Sequence, residues 1–133
     1  MKQEIALITL LVDDYDEAIR YYTNKLNFQL MEDIKMSEEK RWVVVSPLGS
    51  NGSRLLLAIA SNELQKSRIG SQTGGRVALY LYSDDFWRDY NNMVERDVNF
   101  IESPREEEYG TVAVFEDLYG NRWDLLNQNL KEN

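Results

Sequence analysis

The fold is decided by a stretch that occurs twice: ALITLLVDDYDEAIRYYTNKLNF at residues 6–28 and ALYLYSDDFWRDYNNMVERDVNF at residues 78–100. Each copy has an apolar run, two aspartates followed by an aromatic residue, a helical pattern, and Asn-Phe at the start of a new strand. A third match, of Gly52–Arg54 with Gly120–Arg122, follows in the same order and at nearly the same separation. Three ordered matches indicate a duplicated unit.

The helical part of each copy carries signals of its own. Its apolar residues recur every three or four positions, which is the spacing of one helix face. They are Tyr15, Ile19, Tyr22 and Leu26 in the first copy, and Phe86, Tyr90 and Met93 in the second. The aspartate pairs that end at Asp14 and Asp85 stand just before these runs, where a carboxylate can accept hydrogen bonds from free amides of the first turn. We therefore expect these aspartates to cap the helices.

Three strand candidates follow each helix and are separated by turn residues. They are Phe28–Met36, Lys40–Ser46 and Arg54–Ile59 in the first half, and Val98–Glu102, Gly110–Glu116 and Arg122–Asn127 in the second. Each half is thus predicted to be a β-α-β-β-β module, which makes the fold class α+β. Module one covers about residues 3–60 and module two about residues 75–128, with a connecting loop at about 61–74, in a single domain.

The helix of such a module covers one face of its sheet and leaves the other face bare. Two modules that pair side by side form an open, cup-shaped mixed β-sheet with the helices on the outside. The concave face of that cup is where we expect a ligand to bind.

Composition excludes several kinds of chemistry. The chain of 133 residues contains neither Cys nor His. Disulfides, thiolate zinc sites, cysteine nucleophiles and a Ser-His-Asp triad are therefore excluded, and a metal would need oxygen ligands. The net charge of −8 disfavours nucleic acid, and it favours either cationic ligands or simply solubility. The early apolar run Ile5–Val12 is too short to span a membrane and lacks a secretory cleavage signal, so we expect a cytoplasmic protein without membrane association.

Four segments carry a further likeness: VDDYDEAIRYYTNKLNF, RWVVVSP, GGRVALYLYSDDF and YGTVAVFEDLYGNRWDLL. Together they resemble the vicinal oxygen chelate superfamily, which includes glyoxalase I, bleomycin-resistance proteins and extradiol dioxygenases. The resemblance covers about Ile5 to Asn127. Three of the four segments, RWVVVSP and the two that follow it, resemble an uncharacterised bacterial branch of this superfamily. Catalytic members of this superfamily hold one divalent metal ion with side chains from both modules, typically two His and two carboxylate or amide groups.

Carried over by motif, the metal-ligand positions of that superfamily fall on Leu7, Leu56, Ala78 and Asp124. Three of these four side chains have no lone pair to offer, and a single carboxylate does not hold a divalent ion against water. This sequence therefore departs from the metal-binding pattern of the superfamily, and we expect a scaffold without that metal and without a cofactor.

Asp124 is the most informative single residue. On an alternating strand it shares a face with Leu126 and with Arg122, which is itself a candidate ligand-binding residue. A carboxylate on a partly apolar face must find a partner or take up a proton. It could anchor an amine or hydroxyl of a ligand, or act as a general base with a raised pKa. The structural alternative is an ion pair with Arg122 or Arg76.

Other candidate ligand-binding residues are aromatic or basic. Arg76, Tyr80 and Tyr82 share with Ala78 one face of the strand that opens module two, where phenol groups could stack on a ligand or donate to it. Trp42 opens a valine-rich strand, and Tyr109 precedes another strand at a predicted rim of the cup. Each of these could instead pack in the core, under the connecting segment or at a subunit interface.

Three functions remain open at this point. The first is metal-free binding of a small organic molecule that is cationic or aromatic, as in the drug-sequestering members of the superfamily. The second is a lyase, isomerase or dioxygenase of glyoxalase type with an atypical metal site or none, in which Asp124 is the base. The third is an interaction role for a vestigial cup that side chains such as Leu126 fill. In each case we expect a homodimer, because two chains close a cup better than one.

Overall fold

The computed structural model describes residues 1–128 and contains eight strands and three α-helices in that range. In chain order they are β1 (Leu7–Val12), α1 (Tyr15–Arg20), β2 (Phe28–Lys35), β3 (Arg41–Pro47), β4 (Arg54–Ile59), α2 (Glu63–Arg68), β5 (Val77–Tyr82), α3 (Phe86–Glu95), β6 (Asn99–Glu107), β7 (Gly110–Glu116) and β8 (Arg122–Gln128). A π-helical segment, Tyr21–Lys25, continues α1. The α+β class and the two β-α-β-β-β modules are confirmed.

The first compact unit, Met1–Ile69, contains a four-stranded sheet in the order β1-β4-β3-β2. Strands β1 and β4 are parallel, and the other two pairs are antiparallel. Its core lies between this sheet and the helical segment, where Val43, Leu57 and Tyr22 are fully buried. The ring of Tyr22 lies 5.4 Å from that of Phe28, so the end of the helical segment packs on the start of β2.

The second compact unit begins at Gly70 and repeats this topology, with a sheet in the order β5-β8-β7-β6. Again the first pair, β5 and β8, is parallel and the others are antiparallel. A series of ring contacts forms the core on the helix side of this sheet: Tyr90 to Phe100 at 4.6 Å, Phe100 to Phe115 at 5.6 Å and Phe115 to Trp123 at 5.7 Å. The side chains that alternate with these point to the opposite face.

Helices α1 and α3 begin where the aspartates predict. Asp14 accepts a hydrogen bond from the amide of Glu17 at 2.9 Å, and Asp85 accepts one from the amide of Arg88 at 3.2 Å. Each aspartate thereby satisfies a backbone donor that has no partner inside its helix. The prediction that they are helix caps is confirmed.

Two segments differ from the expectation. The connecting segment is not only loop, since α2 forms within it. Its N-cap is Asn62, whose side chain accepts from the amide of Gln65 at 2.8 Å. Strand β6 extends to Glu107 rather than ending at Glu102, because two register shifts let the strand continue past Pro104. A proline has no amide to donate, and a bulge on an edge strand accommodates it.

Among residues 1–128, no helix is both long enough and apolar enough to cross a membrane.

Candidate functional site

One row of side chains crosses the face of the second sheet that lies opposite α3. Tyr80 of β5 pairs in register with Asp124 of β8, Asp124 pairs with Val114 of β7, and Val114 pairs with Glu102 of β6. Directly paired residues point to the same face of a sheet, and strands lie about 4.8 Å apart. We call these four residues the acidic row; it places two carboxylates on one face with a buried valine between them.

The carboxylate of Asp124 is partly buried within the acidic row and makes no hydrogen bond or ion pair with any residue from 1 to 128. Burial is the main cause that raises the pKa of Asp124 above its ordinary value, because a charged carboxylate is less stable where water is excluded. The positive charge of Arg105 lowers this pKa, whereas the negative charge of Glu102 raises it. Asp124 is therefore a partly buried carboxylate that receives no hydrogen bond from the described residues.

Arg105 lies at the β6 end of the acidic row. Its Nη1 donates to Oε1 of Glu102 at 2.7 Å, and its Nε donates to Oε1 of Glu107 at 2.8 Å. The hydrogen bond with Glu107 is the largest cause that raises the pKa of Arg105, and a hydrogen bond with Tyr109 also raises it. The register shift between Glu102 and Arg105 brings these side chains together on one edge strand.

The structure places three of the sequence-predicted residues on or beside this face. Tyr80 stands next to Asp124 in the acidic row, and Tyr82 pairs in register with Leu126 one step along the same two strands. Both tyrosines are 60% exposed, so neither is a core residue of its unit. Tyr109 contacts Arg105 from the turn between β6 and β7.

The two predicted arginines do not neutralise Asp124. Nε of Arg122 lies 3.8 Å from Oε2 of Glu116, so Arg122 pairs with that glutamate instead. Arg76 is exposed and lies one residue before β5, where its carbonyl accepts a hydrogen bond from Oγ1 of Thr73 at 2.7 Å. The ion pair that the structural alternative assigned to Asp124 is therefore absent from the described residues.

Trp42 belongs to the first unit, on the face of the first sheet opposite α1. Its Nε1 donates to Oε2 of Glu32 at 3.3 Å, and Glu32 pairs in register with Val44. In the duplicated topology Glu32 occupies the position that Glu102 has in the second unit, because Val44 pairs with Leu56 as Val114 pairs with Asp124. The two modules thus share an acidic residue on their edge strands, with an indole partner in one and a guanidinium partner in the other.

Sequence reasoning missed Glu102 and Arg105 as site residues. Their approach depends on the register shifts of β6, and the spacing of the residues alone does not reveal a bulge. The available signal was Pro104, since a proline inside a strand pattern indicates an edge strand or a bulge.

The donor atoms present do not fit the metal site of the catalytic relatives. Leu7, Leu56 and Ala78 have hydrocarbon side chains, which leaves only Asp124 as a ligand among the four carried-over positions. Within residues 1–128, no three acidic side chains come together in an arrangement that could hold a metal ion.

The comparisons with known proteins agree with the duplicated topology. A protein of Shewanella frigidimarina (strain NCIMB 400), described as uncharacterized, is 61% identical over 133 residues, covering 99% of this chain and 98% of the relative. The crystal structure of UcmS2 has a TM-score of 0.83 and 25% identity, covering 96% of this chain and all of UcmS2 (100%). TnmS3, an antibiotic binding protein from Streptomyces sp. CB03234, has a TM-score of 0.75 and 25% identity, covering 96% of this chain and 98% of TnmS3.

The family model described as Glyoxalase/Bleomycin resistance protein/Dioxygenase superfamily matches residues 4–125. This match starts before β1 and ends within β8, so it includes both modules. On that evidence the chain belongs to the Glyoxalase/Bleomycin resistance protein/Dioxygenase superfamily.

Proposed function

We propose that this protein binds a small organic cation with an aromatic group on the face of the second sheet that carries the acidic row, and that it does so without a metal ion. The observation that carries the proposal is the partly buried carboxylate of Asp124, which has no partner among the described residues. Such a group gains more from a charged hydrogen-bond donor than an exposed carboxylate does.

The surroundings of Asp124 support an aromatic cation rather than a neutral polar ligand. Tyr80 and Tyr82 offer exposed phenol rings on the neighbouring strand, and a cation near an aromatic face is attracted by the ring. The net charge of −8 adds a long-range attraction for cations. The similarity to TnmS3, an antibiotic binding protein, agrees with a binding role on this scaffold.

The proposal is tested with three probes that share one shape and differ in charge: benzamidine, benzamide and benzoate. Binding is measured by isothermal titration calorimetry and by amide chemical-shift changes in the purified full chain. We expect benzamidine to bind and to shift the amides of β5 and β8, with benzamide weaker and benzoate weakest. No binding of benzamidine, or equal binding of all three probes, contradicts the proposal.

A pair of variants locates the site. Asp124→Asn is expected to weaken benzamidine binding about tenfold, because it removes one charge-assisted hydrogen bond. Glu108→Gln makes the same change in net charge at an exposed residue of the β6–β7 turn, and is expected to leave binding unchanged. An equal loss of benzamidine affinity in both variants would mean that binding depends only on the overall charge of the protein.

Catalysis of glyoxalase type is the second candidate, because a carboxyl group whose pKa is raised by burial suits a general base. In that case Asp124 would accept a proton from a bound substrate beside the phenol of Tyr80. Elemental analysis of protein purified without chelators separates the metal-free proposal from a metal-dependent enzyme. Stoichiometric Mn, Ni, Zn or Fe would contradict the metal-free proposal and favour the enzyme.

The proposal also includes a cytoplasmic homodimer, in line with the expectation from the sequence. Sedimentation equilibrium at two protein concentrations tests the dimer. A monomer mass at both concentrations contradicts that part and leaves the ligand site as it stands.

A further inference from the structure

We infer that Arg105 is an internal competitor of the ligand: its guanidinium binds Glu102 of the acidic row in the free protein, and the cationic group of a ligand must displace it to bind there. Arg105 would then determine specificity by setting how strongly a cation must interact before it is retained. This inference rests on the proposed function and goes beyond it, because it predicts that removing a residue of the site tightens binding.

The geometry of Arg105 is that of a bound guanidinium ligand. Two of its nitrogens donate to separate carboxylates, to Glu102 at 2.7 Å and to Glu107 at 2.8 Å. A planar fork of donors between carboxylates is the arrangement that an amidinium or guanidinium ligand would also adopt. The side chain of Arg105 thereby marks which chemical group fits this end of the row.

The ion pairs of Arg105 with Glu102 and Glu107 can also be broken at little cost. Its side chain is 41% exposed, and the side chains of Glu102 and Glu107 are 53% and 38% exposed. Ion pairs with this much exposure are weak, because water competes for both charges. The residue lies next to a register shift on the edge strand β6, where no further strand of its sheet covers it.

The charge of Arg105 acts on Asp124 without pairing with it. Arg105 lowers the pKa of Asp124 through space, whereas no hydrogen bond joins the two side chains. The positive charge of Arg105 therefore repels a ligand cation that reaches Asp124, unless the arginine side chain moves away. Displacing Arg105 removes that repulsion and frees Glu102 as a second acceptor.

The first module supplies an internal comparison. Glu32 occupies the position equivalent to Glu102, and its partner is the uncharged indole of Trp42 rather than an arginine. The acidic position thus does not require an arginine in order to be accommodated in this topology. This observation favours a role for Arg105 in recognition over a role that folding demands.

The opposite role for Arg105 is that of an anion receptor, in which it would hold a carboxylate or phosphate of the ligand. The two roles predict effects of opposite sign. A competitor weakens the binding of cations, so its removal strengthens benzamidine binding. A receptor strengthens the binding of anions, so its removal weakens benzoate binding.

The experiment compares Arg105→Gln with Arg88→Gln, which removes the same charge from α3, on the other side of the sheet, where Arg88 also pairs with two exposed or partly exposed carboxylates, Asp84 and Asp89. We expect Arg105→Gln to bind benzamidine about threefold to tenfold more tightly than the wild type, which corresponds to the loss of weak exposed ion pairs. Arg88→Gln is expected to bind it with unchanged affinity. Arg105→Lys keeps the charge without the planar fork and is expected to lie between the wild type and Arg105→Gln.

The outcomes separate this inference from the proposed function. If benzamidine binds the wild type and Arg105→Gln binds it equally or more weakly, the inference is wrong and the proposed function stands. Equal tightening in Arg88→Gln would show that only net charge matters and would also overturn the inference. If benzamidine binds none of the proteins, both are wrong. Circular dichroism melting of each variant confirms that the compared chains are folded.

Discussion

Gly70 lies against the backbone of Tyr119 so closely that a Cβ added to Gly70 would stand 2.0 Å from the carbonyl oxygen of Tyr119. Gly70 has φ +82°, a left-handed conformation that glycine adopts without steric penalty. Tyr119 belongs to the turn between β7 and β8, and this turn precedes the strand that carries Asp124. The contact therefore fixes the start of the second unit to the turn that leads into the candidate site.

Replacement of Gly70 by alanine should destabilise the protein severely. A left-handed alanine costs about 1–2 kcal/mol, and the overlap with a backbone oxygen adds about 1–3 kcal/mol, because the backbone must shift. Gly74→Ala is the matched control, since Gly74 has φ +69° and nothing within 4 Å of the added Cβ. Urea denaturation measures both variants. Equal losses of the free energy of unfolding would show that only the conformation of Gly70 matters and that the contact does not.

Asp117 should be the most sensitive polar residue of the β7–β8 turn. It is 6% exposed, and its carboxylate accepts from the amides of Tyr119 and Asn121 at 3.0 Å and from Nδ2 of Asn121 at 3.0 Å. Asp117→Ala leaves these donors buried without an acceptor, so we expect a loss of about 3 kcal/mol in the free energy of unfolding.

The corresponding turn of the first module provides the control for Asp117. There Oγ of Ser50 accepts from the amide of Gly52 at 3.0 Å, but the residues are exposed and water can replace the bond. Ser50→Ala should change the free energy of unfolding by no more than about 0.5 kcal/mol. A similar loss in both turns would contradict the view that burial makes the Asp117 network important.

The helix caps should contribute similar free energies in the two modules. Asp14→Ala and Asp85→Ala each remove one bond to a first-turn amide, so each should lower the free energy of unfolding by about 1 kcal/mol. Asp13→Ala is the control, because Asp13 is exposed and precedes the capping position. Thermal melts of the three variants distinguish capping from a general effect of charge, which would appear in Asp13→Ala as well.

The duplicated plan and its helix starts could be predicted from the sequence because they depend on local signals. An aspartate before an apolar periodic run determines a helix start through hydrogen bonds within three residues, as at Asp14 and Asp85. Strand β4 and strand β7 also begin and end at the predicted residues, since apolar runs bounded by turn residues define them. These features need no knowledge of how distant segments meet.

The surroundings of Asp124 could be predicted only in part. Strand alternation predicts the face on which Asp124 lies, but its electrostatic neighbours Glu102 and Arg105 come from an edge strand two positions away in the sheet. Which residue of β6 reaches Asp124 depends on two register shifts, and a shift of one residue reverses the face of every side chain that follows. Strand alternation alone therefore favours Arg122 as a partner of Asp124, whereas the structure pairs Arg122 with Glu116.

The pH dependence of stability should reveal the environment of Asp124 directly. The pKa of Asp124 in the folded chain is raised above the ordinary value of 3.8, mainly by burial, so the folded state holds this proton more tightly than the unfolded state does. The stabilising contribution is then complete below about pH 3.8 and is lost as the pH rises through the folded-state pKa. Asp124→Asn cannot ionise, so it should be more stable than the wild type at pH 7, and this advantage should disappear at low pH.

Asp33 provides a control of opposite sign for Asp124. Hydrogen bonds from Arg41, at 3.0 and 2.7 Å, are the largest cause that lowers the pKa of Asp33. Its stabilising contribution is present above pH 3.8 and is lost as the pH falls through the lowered pKa. Asp33→Asn should therefore be less stable than the wild type at pH 7, and the two should converge in acid. Urea denaturation of both variants from pH 3 to pH 8 measures this, and a stability difference of the same sign for Asp33→Asn and Asp124→Asn at pH 7 would show that burial does not control the ionisation of Asp124.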